Sequence, residues 1–119
     1  MKRTIVSLFL IALTGKARLE AHAFLKDAEP SVGSMVQTSP NEVRIQFTEN
    51  IEPGFSIIQV FDASGKEVDK RDVHLDRSDH ALLQISLPQL KAGIYKVVWR
   101  VVSVDTHVTN GSFTFRVNR

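Results

Sequence analysis

The sequence predicts an all-β fold, a small antiparallel sandwich or barrel of about seven short strands. Two observations carry this reading. Apolar residues recur at alternate positions in short runs, as in strands that turn one face to a core, and each run is bounded by Gly or Pro. A third observation narrows it: after the first 21 residues no stretch shows a helical period, so helix is expected only in the leader.

That leader comes first in the chain. Lys2 and Arg3 precede an apolar run from Ile5 to Leu13 interrupted only by Ser7, too short to span a bilayer and of the length of a secretory signal core. Residues 1–21 are read as a removable signal peptide and residues 22–119 as one domain of 98 residues. Three cleavage points compete, after Ala17, after Ala21 and after Ala23, and the small-residue rule by itself favours the last.

From Phe24 a short apolar–polar stretch runs into the turn cluster Glu29-Pro30-Ser31-Val32-Gly33-Ser34, with a second cluster at Thr38-Ser39-Pro40-Asn41. Val43, Ile45 and Phe47 alternate with polar residues in a half-buried strand that ends at Glu49-Asn50. Ser56 to Phe61 reads as a strand, Asp62-Ala63-Ser64-Gly65 as a hairpin loop, and Lys66 to Val73 as the returning strand. Ala81 to Leu87 follows, stopped by Pro88. Tyr95, Val97, Trp99 and Val101 then alternate in a long strand, and Phe113, Phe115 and Val117 in the last, with Asp105-Thr106-His107 as the polar corner between them and the next turn residues at Asn110-Gly111.

Composition excludes several classes of function. The formal charge of +2 belongs to the leader: without residues 1–21 the chain keeps 11 basic and 12 acidic residues, a charge of −1. Lys and Arg are scattered among Asp and Glu along the chain, which is no nucleic-acid face. There is no cysteine, hence no disulfide, thiolate nucleophile or cysteine metal site, and the core must hold the fold unaided. No Gly-x-Ser-x-Gly elbow supports hydrolase chemistry.

Histidine remains, at positions 22, 74, 80 and 107. His74 and His80 lie in a charged stretch at a spacing that matches no metal motif. Asp105 and His107 are two residues apart at a strand end, and an extended backbone there would point both side chains the same way, toward one ion. If the leader is cut directly before His22, that residue offers its amine and its imidazole together. With the nitrogen of His107 and an oxygen of Asp105, these make an N,O set of the tetragonal kind that Cu(II) prefers, although zinc is compatible by ligand type.

His22-Ala-Phe-Leu, Pro30-x-x-Gly33, Phe47-Thr-Glu49-Asn50, the run from Ala92 through Tyr95, Trp99-Arg100-Val-Val-Ser103 to Asp105-Thr106-His107, and Gly111-x-Phe113-x-Phe115 together resemble the CopC family of periplasmic copper-binding proteins. The resemblance covers nearly the whole of residues 22–119. It implies a Greek-key β-sandwich or barrel, cupredoxin-like or Ig-like, that binds one Cu(II) ion without turnover through His22, Asp105 and His107. It also implies an acid near the site at Glu49, a periplasmic location, and an inner-membrane copper transport protein of the CopD kind as partner. Some family members carry a Met-rich Cu(I) loop; this chain has only Met1 and Met35, so a Cu(II)-only protein is expected. Two other classes stay in view: a histidine-brace copper monooxygenase, for which 98 residues leave little substrate platform, and a metal-free β-sandwich interaction module.

Overall fold

The computed structural model describes residues 24–118. The expected leader helix and His22 lie outside the described residues. Among the described residues there are eight strands and one 3-10 turn: β1 Leu25–Glu29, β2 Met35–Val36, β3 Glu42–Phe47, the turn Pro53–Phe55, β4 Ile57–Phe61, β5 His74–Leu75, β6 Leu82–Ser86, β7 Gly93–Val102 and β8 Val108–Val117. Among the described residues no helix is long and apolar enough to cross a membrane.

The strands build two four-stranded sheets, ordered β1-β3-β6-β5 and β2-β8-β7-β4. This is the strand order of an immunoglobulin-type Greek-key sandwich, with the first strand divided between the sheets. β1 pairs antiparallel with β3, the chain turns at Ser31–Ser34, and β2 pairs parallel with β8, Met35 opposite Arg116. The expected antiparallel sandwich is formed, with one short parallel pairing at that edge. A hallmark of such sandwiches is a tyrosine at the start of the sixth strand tied to the preceding corner, and here the Tyr95 hydroxyl donates to the Lys91 carbonyl at 2.7 Å.

Alternation does what the sequence predicted. Val43, Ile45 and Phe47 of β3 and Leu83 and Ile85 of β6 face Tyr95, Val97, Trp99 and Val101 of β7 and Phe113, Phe115 and Val117 of β8, all buried. Each such side chain contributes about 1.5–3 kcal/mol on burial. Phe47 and Trp99 meet edge to face with centroids 5.2 Å apart, joining the sheets beneath the end of the sandwich where β3 and β7 finish.

Two expectations fail for local reasons. Lys66 to Val73 is not a strand: after a single bridge between Phe61 and Glu67, the segment crosses from β4 to β6. Its amides at Val68 and Lys70 bond the Val60 and Ser86 carbonyls, and carboxylates add to these contacts. Asp69, buried, accepts from the Val60 amide at 2.8 Å and the Arg71 amide at 2.9 Å, and Asp72 accepts from the Ser86 amide at 2.8 Å. The Asp62–Gly65 loop does form, with Asp62 accepting from the Ser64 and Lys66 amides. Asn110-Gly111, the other departure, is no turn but lies within β8, opposite Arg100 and Trp99. Glycine is needed there because a Cβ would stand 2.6 Å from Trp99 Cζ2.

Candidate metal centre

β7 and β8 pair along their full lengths, from Gly93 opposite Val117 to Val102 opposite Val108, which leaves residues 103–107 as the connection. The connection is tight. The Ser103 amide donates to the His107 carbonyl at 2.9 Å, the Thr106 amide donates to the Ser103 carbonyl at 2.8 Å, and Thr106 takes a left-handed φ of 72°. A β-branched residue in that region costs on the order of 1–3 kcal/mol and persists only where its surroundings hold it. The extended backbone expected for Asp105 and His107 is thus replaced by a turn.

The turn nevertheless brings the pair together. Asp105 Oδ1 lies 3.2 Å from His107 Nδ1, with both side chains about half exposed. The Ser103 hydroxyl, fully buried, donates to the same Oδ1. That hydroxyl, then the His107 ring and the His107 backbone, hold the Asp105 carboxyl below its ordinary value of 3.8. A polar contact this exposed adds little stability, so its meaning lies in placement.

The neighbouring elements converge on the same end. The Val104 amide donates to the Asn50 carbonyl at 3.1 Å, and Ile51 bridges Ser103, which sets the loop after β3 against the corner. Glu49 is on that loop, half-buried. Phe24, the first described residue, is tied to the same loop from both sides: its amide donates to the Thr48 hydroxyl at 2.9 Å and its carbonyl accepts from the Thr48 amide at 2.9 Å. Phe24, Glu49 and the Asp105–His107 pair therefore share one end of the sandwich.

Glu49 does not join Asp105 and His107 in a cluster; among the described residues no three His, Cys, Asp or Glu stand close enough to hold an ion. His74 is on the edge strand β5 with Nδ1 2.8 Å from the Asp72 carbonyl, and His80 is exposed, its carbonyl accepting from the Ile51 amide at 2.9 Å. Asp105 and His107 supply one oxygen donor and one nitrogen donor, a pairing suited to Cu(II) or Zn(II) and short of a full coordination set. Sequence reasoning gave Ser103 no role. Its signal was present: Ser103 continues the inward-facing series Tyr95, Val97, Trp99, Val101, and a hydroxyl on a buried face needs a partner.

Comparison with known proteins agrees with this architecture. The family model of the CopC domain matches residues 25–118. The copper resistance protein C of Pseudomonas syringae pv. tomato is 30% identical over 122 residues, covering 98% of this chain and 96% of that protein. The copper transport protein CutJ of Bacillus subtilis is 29% identical over 97% of this chain, which spans only 21% of CutJ's length. Among solved structures, CopC from Methylosinus trichosporium OB3b superposes with a TM-score of 0.77 at 35% identity, covering 82% of this chain and 94% of that one. PcoC, a methionine-rich copper resistance protein from Escherichia coli, superposes with a TM-score of 0.74 at 33% identity, covering 82% of this chain and all of that one. With its sandwich and a match from the first strand to the last, this chain belongs to the CopC family.

Proposed function

We propose that this protein binds one Cu(II) ion in the periplasm, for sequestration or delivery in copper resistance, and performs no turnover. The donors are the amine and imidazole of His22, exposed by cleavage of residues 1–21, with Asp105 and His107; Glu49, on the neighbouring loop, is a weak ligand or an outlying acid. The observation that carries the reading is the contact of Asp105 with His107 Nδ1, at the end of the sandwich where Phe24 is tied down. His22 stands two residues before Phe24 in the sequence, and that adjacency supports its inclusion among the donors.

Donor chemistry supports copper in its oxidised state. Amine, imidazole and carboxylate are the donors of tetragonal Cu(II), whereas a thioether site for Cu(I) would have to be built from Met35 and the leader's Met1. A carboxylate among the donors fills coordination space that oxygen chemistry needs open, which favours binding over catalysis. The partner that fits is an inner-membrane copper transport protein of the CopD kind, receiving the ion from the exposed corner.

Two measurements test this reading together. The intact mass of the exported protein should correspond to a chain beginning at His22, and competition titration should give tight, one-to-one Cu(II) binding. Extending the chain by one residue before His22, or changing His107→Ala, should weaken binding far more than His74→Ala or His80→Ala. Equal losses at all four sites would show scattered surface binding and overturn the proposal.

A further inference from the structure

We infer that Ser103 is a positioning residue for the metal site, acting through Asp105. This rests on the copper-binding reading above and deepens it. Ser103 is fully buried, and its hydroxyl donates to Asp105 Oδ1, the same oxygen that faces His107 Nδ1. The hydroxyl also lies 3.4 Å from the His107 carbonyl. Its backbone closes the corner in both directions, donating to His107 and accepting from Thr106, while its bridge to Ile51 anchors it to the loop that carries Glu49 and Asn50.

The physical case is one of pre-organisation. Asp105 and His107 are exposed side chains, and each free rotamer that must be frozen on binding weakens binding. A donor fixed in the core removes that freedom from Asp105 beforehand, and through Asp105 Oδ1 it steadies the imidazole of His107. The Thr106 hydroxyl also donates to Asp105, but to its backbone carbonyl, so it leaves the carboxylate free to turn, and it is itself exposed. Ser103 is the donor that water does not reach. Groups that orient a ligand in this manner typically account for about 10- to 100-fold in metal affinity.

The test is a double-mutant cycle on the mature protein, read by Cu(II) competition and by the electron paramagnetic resonance spectrum of the Cu(II) form. Ser103→Ala should weaken Cu(II) about 10- to 100-fold and alter the spectrum. In an Asp105→Ala background the same change should have little further effect, because the hydroxyl acts through a carboxylate that is gone. Ser103→Thr keeps the hydroxyl and should keep the wild-type spectrum. Wild-type affinity in Ser103→Ala while His107→Ala loses copper would overturn this inference and leave the copper-binding reading standing. Wild-type affinity in both would overturn the reading itself. An equal loss from Ser103→Ala with and without Asp105 would show a role that does not pass through Asp105. Should Ser103→Ala unfold the metal-free protein, Ser103→Thr decides: an altered spectrum in that variant overturns the proposal, and an unchanged one supports it.

Discussion

Gly111→Ala offers a sharp test of how the core and the corner strands fit together. The added Cβ would stand 2.6 Å from Trp99 Cζ2, 2.9 Å from Cε2 and 3.3 Å from Nε1. Carbon atoms pack at about 3.5–4.0 Å, so the indole or β8 must move by about 1 Å. The indole has little room to do so, because Trp99 is 6% exposed and set edge-on against Phe47, itself in the core. Overpacking of this kind costs about 1–3 kcal/mol. For a domain of this size 1 kcal/mol corresponds to about 4–8 °C, so the thermal midpoint of the metal-free protein should drop by roughly 10 °C. Near-ultraviolet circular dichroism, dominated here by Trp99, would follow both the transition and any tilt of the ring. Gly54→Ala is the control: nothing lies within 4 Å of its Cβ, and its stability should change by less than about 0.5 kcal/mol. Copper at 100 times its dissociation constant should raise both variants by the same increment, about 2.7 kcal/mol. An unchanged midpoint in Gly111→Ala would refute the packing account of why glycine stands in the middle of a strand.

Asp69→Ala leaves the Val60 and Arg71 amides without their buried acceptor and should cost about 1–3 kcal/mol in urea unfolding. The Asp72 carboxyl is held below its ordinary value of 3.8 by the Ser86 hydroxyl and amide, so its contribution is complete above that value and is lost as pH falls through the lower folded-state value. Asp72→Asn should therefore flatten the acid limb of a stability profile below about pH 4 and leave the neutral region's slope unchanged. Under the proposed donor set, copper affinity should fall as pH drops, because an amine and imidazoles bind a metal only when unprotonated. Equal affinity in mildly alkaline and mildly acidic buffer would rule out this donor set.

Alternation made most of the sandwich legible, because β3, β7 and β8 each bury one face and their inward residues could be named from period alone. The segment 66–73 was not legible in that way. The Asp62–Gly65 loop suggested a returning strand, yet Asp69 and Asp72 reach instead to the Val60 and Ser86 amides, and a contact across 9 or 14 residues leaves no local pattern. β2 was missed because a two-residue edge gains its identity from pairing with β8, a non-local contact. At the corner, the Asp-x-His spacing identified the pair, but by the wrong geometry: the side chains meet because Thr106 adopts a left-handed turn, not because the backbone is extended. Glycine and asparagine ordinarily announce such turns. Here Gly111 sits elsewhere for a packing reason, and the turn fell to a threonine held by its neighbours.

The antiparallel run of β8 gives the molecule a polarity. Its ten residues leave the corner at Val108 and end at Val117, about 30 Å away at the usual rise of a strand. A tether joined after Val117 would thus hold the protein by its far pole and turn the Asp105–His107 corner outward. An affinity tag placed ahead of Phe24 would crowd that corner instead. For anyone immobilising this protein on a sensor, or fusing it to a second domain, the choice of terminus decides whether the corner faces solution or its own anchor.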